Sequence, residues 1–175
     1  MPGLIVGQNE MKEFKVHFSE ELFTLMEYRE ADLPAVMMLT TSLIDFESKE
    51  VFAWHLSIVI GCEDIAENGM PSKKEREEIL EPFCDRFEEA IELKENGKPN
   101  ALLLARITWN ETRELVFRVF DPEVANSFLQ KEIENDECER GFEFQMDHDP
   151  EWEKASWMFD MFRNAKPNQA ELDNA

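Results

Sequence analysis

Arg106, Arg113 and Arg118 stand close together in an acidic chain, and the planar guanidinium fork is the side chain best suited to gripping a carboxylate or phosphate. The residues around them predict two paired strands. A cross-strand partner for Arg106, with Glu114 the nearest candidate, would turn the same group into an ordinary sheet ion pair. Asp147-His148-Asp149 offers metal-ligating and proton-transferring groups in a row. Adjacent strand residues point to opposite faces, however, and Asp149 occupies a helix-cap position. The other histidines, His17 and His55, do not pair with His148 at helical spacing, so no metal site is expected. No GxSxG elbow presents a nucleophile, no DxDxDG loop is present for calcium, and the six glycines form neither a P-loop nor a GxGxxG turn. No catalytic residue and no cofactor is assigned.

Composition narrows the field further. Of the 175 residues, 43% are hydrophobic and fourteen are Phe, which is enough for a real core and excludes wholesale disorder. Thirty-nine acids oppose eighteen bases for a net charge of −21, the opposite of the basic footprint that direct nucleic-acid binding requires. An acidic surface is also repelled by anionic headgroups, so no membrane partner is expected. The N-terminal Met1-Pro2-Gly3-Leu4-Ile5-Val6-Gly7 lacks the basic and apolar regions of a secretory signal. Cys62, Cys84 and Cys138 are widely spaced, with no CxxC pair, and read as reduced thiols of a cytoplasmic protein. Cys84 is expected in the core.

Residues 121–175 carry fifteen acids and five bases, and the densest run is Glu132, Glu134, Asp136, Glu137 and Glu139. Such a run is either a solvated helix end or a surface that docks a basic protein partner, where complementary charge governs association rate and partner choice. Trp109, expected at a hairpin turn, has the character of a binding anchor. Arg106 and Arg113 complete the candidate binding residues.

These groups are positioned by a simple order of elements. Leu22–Tyr28 and Ala35–Leu43 predict a hairpin around Asp32 and Pro34, and Ala101–Thr108 and Arg113–Phe120 a second one. His55–Ile60 and Phe142–Met146 alternate as strands. Ser72-Lys73-Lys74-Glu75 reads as a capping box before a helix with Ile79, Leu80, Phe83, Phe87, Ala90 and Ile91 on one face. Pro82 must kink or split that helix, which should stop near Asn96-Gly97. Asp121-Pro122-Glu123 starts a second helix, with Val124, Phe128, Leu129 and Ile133 inward. Asp149-Pro150-Glu151 repeats the signal ahead of Trp152, Ala155, Phe159 and Phe162. The order strand, helix, strand, strand, helix, strand is the ferredoxin-like split βαβ pattern. The expected fold is therefore α+β: a mostly antiparallel sheet with helices on one face, an N-terminal β-hairpin and a C-terminal helix. Residues 1–13 are expected to be a flexible N-terminus, 14–162 a single domain and 163–175 a disordered tail.

Three segments carry a family resemblance: Asn68-Gly69-Met70-Pro71 before an acidic helix, the hairpin Leu104–Thr108 with Thr112–Phe117, and Asp149-Pro150-Glu151-Trp152. Over about residues 20 to 160 the chain resembles the domain-of-unknown-function 695 family, found mainly in bacteria. Longer members look similar to an N-terminal partner of the B-type regulator of ribonuclease E, itself an acidic ferredoxin-like protein. The resemblance implies a fold and assigns no reaction. The resulting expectation is a non-enzymatic interaction or regulatory module that binds a basic partner. Its alternative is a small-ligand binder or enzyme with a polar pocket formed by the hairpin arginines and His55 or His148. A homodimer through Val36-Met37-Met38-Leu39, taken as an edge strand, is a further expectation.

Overall fold

The computed structural model describes residues 20–95 and 97–165. The expected flexible segment 1–13, His17, Asn96 and tail residues 166–175 lie outside the described residues. Six strands, β1 (Phe23–Glu30), β2 (Leu33–Thr40), β3 (Trp54–Gly61), β4 (Ala101–Trp109), β5 (Thr112–Val119) and β6 (Phe142–His148), form one sheet in the order β1-β2-β4-β5-β3-β6. Every neighbouring pair is antiparallel. Three helices accompany it among the described residues: α1 (Glu81–Glu92), α2 (Pro122–Glu134) and α3 (Ser156–Asn164). The protein is an α+β fold. Arg163 and Asn164, assigned to the tail from sequence, close α3.

Both hairpins turn tighter than expected. Ala31 and Asp32 have φ of 49° and 64°, and Asn110 and Glu111 have φ of 44° and 65°. Two consecutive left-handed residues match the right-handed twist of the flanking strands, so each loop needs only two residues. Pro34 therefore lies inside β2, opposite Arg29 and just outside the ladder to β4, where its missing N–H does no harm. At the other end β2 stops at Thr40, and Thr41–Leu43 form a 3-10 turn instead of continuing the strand. The sheet order also corrects the edge assignment. Val36–Leu39 pair with β1 on one side and β4 on the other, and the free edges are β1 and β6.

Each face of the sheet has its own core. α1 and α2 cover Leu56, Ile58, Ile60, Leu115, Phe117 and Val119 with Phe83, Phe87, Ile91, Ala125 and Leu129. Complete burial of each such large side chain stabilises by about 1.5–3 kcal/mol. On the opposite face α3 and the 41–53 segment pack Phe46, Phe52, Trp152, Met158 and Phe159 over Met37, Leu39 and Val116. Within α2 Ala125 and Leu129 are buried, Val124 and Phe128 are half-buried, and Ile133 is exposed.

The helix starts differ in their chemistry. Asp121 caps α2 by accepting from the Glu123 N–H at 3.0 Å, with Pro122 in the first turn, as the pattern requires. Ser72 Oγ accepts the Glu75 amide at 3.0 Å, but the Glu75 side chain does not reach back to Ser72. It turns instead to the Glu63 amide and to Arg140. Ahead of Pro82 the chain runs as a π-helical turn, Glu75–Leu80. The wider turn lets Glu81 bond back to Arg76 and delivers Pro82 to the start of α1, where no N–H is required. The last helix begins at Ser156 and not at Pro150, because Trp152 takes a left-handed conformation (φ 57°) that interrupts any helix there.

Candidate functional site

A β-bulge decides where the first arginine points. Leu103 pairs with Phe117 and Ala105 with Val116, so Leu104 is an extra residue. Leu104 and Ala105 both enter the α3-side core, and the alternation restarts with Arg106 facing α1. There Arg106 meets carboxylates on successive turns of α1: Glu81 at 3.0 Å, Asp85 at 2.9 Å and Glu88 at 2.5 Å. Burial works against its charge, but the bonds to Glu88 and Asp85 outweigh burial and hold its pKa above the ordinary value. Arg113, on the same face, donates from Nε to Thr108 at 2.7 Å and from Nη1 to Glu81 at 3.1 Å. The anticipated cross-strand pair with Glu114 does not form. Glu114 accepts from Ser57 at 2.6 Å on the other face of the sheet.

Arg118 points the opposite way and is completely buried. It donates to Asp149 Oδ2 at 3.0 Å and to the Asp149 carbonyl, and meets His55 Nδ1 at 3.1 Å. Asp149 also accepts from the Glu153 and Lys154 amides, so one carboxylate caps the 3-10 turn and neutralises the buried cation. Two cations approach the Trp152 ring, Arg118 at 4.9 Å and Lys49 at 5.3 Å from its centroid. Its N–H donates to the Lys49 and Phe52 carbonyls. Burial, then the adjacent Arg118 charge, lowers the His55 pKa to about 4, so the ring is neutral at pH 7. The neighbours Asp147 and His148 are held elsewhere. Asp147 lies 3.5 Å from Lys154, and the His148 ring packs 5.0 Å from Trp54. The three residues of this cluster thus address three different partners. Of the hairpin arginines, Arg118 meets His55 on the α3 side, whereas Arg106 and Arg113 face α1 on the other.

Trp109 is half-buried, and its indole N–H donates to the Glu30 carbonyl at 2.9 Å, tying one hairpin turn to the other. The acidic run divides. Glu132 and Glu139 grip Arg86 at 2.8 and 3.1 Å, while Glu134, Asp136 and Glu137 are exposed and carry no ion pair among the described residues. Cys62, Cys84 and Cys138 are free thiols, and burial pushes Cys62 up to about 11. Cys84 lies in the core. A groove of about 640 Å³ runs beside Arg106 and Arg113 over Phe23, Leu25, Val36 and Met38.

Contacts not anticipated from sequence include Arg140 with Glu75, Trp152 with the 41–53 segment, Arg118 with Asp149 and Arg106 with α1. Each joins residues far apart in the chain. The spacing of Glu81, Asp85 and Glu88 was the legible signal for the α1 network, since it puts three carboxylates on one helix face. Gly69 has an equally specific task. At φ 81° it lets its carbonyl accept the Glu111 amide at 2.8 Å, and a Cβ there would stand 3.1 Å from the Asn110 Cα. Asn68-Gly69 thus clamps the β4–β5 turn, the hairpin carries the α1 arginine network, and Asp149–Trp152 seals Arg118.

These three clamps define a class: an α+β domain whose charged groups in the interior join helix and loop to sheet. The chain belongs to the family of unknown function DUF695, whose model matches residues 27–159, from within β1 to within α3. Comparison with curated proteins and with solved structures gives no match. Among the described residues no helix is long and apolar enough to cross a membrane.

Proposed function

We propose that this chain is a non-enzymatic interaction module that binds a basic protein partner through its acidic surface. One observation carries the reading: Arg106, Arg113 and Arg118 are each engaged by carboxylates of the chain itself, while Glu134, Asp136 and Glu137 remain exposed and unpaired among the described residues. Guanidinium groups already paired with the chain's own carboxylates have little charge left for an anionic ligand, whereas unpaired acids at a helix end project a field that steers a basic partner.

The test is capture from native extract on the immobilised protein, eluted in steps of rising salt, beside the charge-reversed variant E134K/D136K/E137K. A basic protein that leaves the wild type steeply with salt and is not held by the variant supports the reading. Bait alone at every step, or equal retention by the variant, overturns it.

Finer readings follow from the same features. The order β4-β5-β3-β6, with α1 and α2 on one face, supports a ferredoxin-like split βαβ core. Three free thiols without a bridge support a reducing, cytoplasmic setting. The alternative of a small-ligand site draws on the groove beside Arg106, and binding there would be lost on substituting Arg113 without any change in partner capture.

A further inference from the structure

We propose that the cavity between the end of α1, the end of β2 and the start of β4 binds a small organic ammonium ion, a primary amine on a short apolar chain. The cavity measures about 200 Å³. That admits a body of a few carbons and falls below the ~300–1,000 Å³ of drug-sized pockets. Its wall divides by chemistry. Leu43, Phe46 and Leu102 supply apolar surface, and every polar side chain on the wall except Lys94 presents oxygen: Glu21, Thr40, Ser42 and Glu92. Thr40 already donates its hydroxyl proton to the Leu103 carbonyl at 2.8 Å, and Ser42 Oγ accepts the Leu22 amide at 3.4 Å. A wall of acceptors suits a donor, and two carboxylates among them suit a charged donor.

Glu92 is where the negative potential collects. It is the last residue of α1, so the negative pole of that helix falls beside it, and the last turn holds no basic residue. Its side chain is only 14% exposed. Burial first, and the like charge of Glu88 next, hold its pKa above the ordinary value, with Glu21 adding to the effect. Among the described residues the cation within reach is Lys94, whose Nζ stands 3.5 Å from one Glu92 oxygen on a side chain that is 56% exposed. A solvated pair of that kind contributes little and yields readily to a competitor. Lys94 is itself an ammonium on an aliphatic stem, arriving from the solvent side; a ligand would bring the same group over Phe46 and Leu102. The wall is built in advance. The Asn100 amide donates to the Glu92 carbonyl, Glu95 and Lys98 exchange both main-chain bonds, and the Thr41 amide holds the Leu22 carbonyl at 2.8 Å. Such preorganisation lowers the ordering cost of binding.

Titration of the full chain with ethyl-, propyl- and butylammonium chloride, followed by amide NMR, tests this. Shifts are expected at Thr40–Phe46, Glu92–Lys94 and Ala101–Leu103, with Kd tightening by about fourfold for each added methylene as the apolar wall is covered. Butyrate, of similar size and opposite charge, should bind at least roughly tenfold more weakly than butylammonium. Two substitutions act in opposite directions. Glu92→Gln keeps the shape and removes the charge, and should weaken butylammonium at least roughly tenfold. Lys94→Met removes the internal competitor and should tighten it by about two- to fivefold, a gain that damage to the fold cannot produce. Shifts scattered over the surface acids, an affinity that ignores chain length, or butyrate binding as well as butylammonium overturns the proposal. So does a Glu92→Gln chain that binds like the wild type, or a Lys94→Met chain that binds no more tightly.

Discussion

The Arg140 guanidinium closes on the Glu75 carboxylate with two parallel bonds, Nε to Oε1 at 2.8 Å and Nη2 to Oε2 at 2.7 Å, while the carboxylate itself is almost fully buried. This fork ties the π-helical turn to the loop that enters β6, and Oε1 also accepts the Glu63 amide. Removing the carboxylate leaves the largely buried Arg140 with only the exposed Glu63 at 3.4 Å and the Glu139 carbonyl at 2.6 Å. Glu75→Ala is expected to lower unfolding free energy by about 2–4 kcal/mol, read by urea titration. The Arg140 bond, opposed in part by burial, also holds the Glu75 pKa below its ordinary 4.5. Its contribution is therefore present above that value and is lost as pH falls through the lower folded-state pKa. The acid limb of the stability profile should flatten in Glu75→Gln.

His55 supplies a second, separate pH window. Burial and then Arg118 lower its pKa from 6.5 to about 4, so the unfolded chain binds a proton more readily than the folded one. Stability is complete above pH 6.5 and declines as pH falls toward 4. Thermal midpoints taken between these values should fall for the wild type by several degrees. For His55→Gln they should change less, because the group that titrates is gone.

Asp149 holds a buried cation and two amide donors at once. Asp149→Ala removes the carboxylate's contacts and leaves Arg118 with the main-chain carbonyl of residue 149, His55 and the Trp152 ring. A loss of about 3–5 kcal/mol is expected by chemical denaturation, the range for one partner of a buried pair. Asp149→Asn keeps one acceptor oxygen, enough for one of the two cap amides, without the charge, and should lose less. Trp152→Phe retains a ring over Arg118 but not the indole N–H, and should cost about 1–2 kcal/mol.

Arg106 neutralises three carboxylates on one helix face. Arg106→Leu leaves Glu81, Asp85 and Glu88 to repel one another at helical spacing, a loss of about 1–2 kcal/mol. Because those acids are partly exposed, raising salt from 0.05 to about 0.5 M should recover part of it. A midpoint that ignores salt in the variant would assign the loss to packing of the arginine stem instead.

Local signals were legible and non-local ones were not. The Asp121-Pro122 start of α2, the alternation in β3 and β6, and the burial of Cys84 could be read because each depends on neighbours within a few residues. The turn at Ala31-Asp32 was drawn too wide, since neither residue announces a left-handed conformation as glycine does. The extra residue at Leu104 has no sequence mark at all: Leu102, Leu103 and Leu104 are equally apolar, and only the packing of two faces decides which is unpaired. That single residue reversed the facing of Arg106 and replaced the expected sheet pair with a helix contact. β2 was misplaced as an edge because strand order depends on which surfaces the helices cover, which no short window contains.

The sealing of Trp152 against Lys49 and Phe52 spans about a hundred residues. As the chain leaves the ribosome, α1 and the hairpin of β4 and β5 can assemble early, because their contacts are with one another. The opposite face cannot. Phe46 and Phe52 wait for an indole made about a hundred residues later, so the nascent protein carries one finished core and one open one. An arrest of translation before Trp152 would leave that open face exposed to chaperones, and a refolding experiment should show the Trp152 environment forming last.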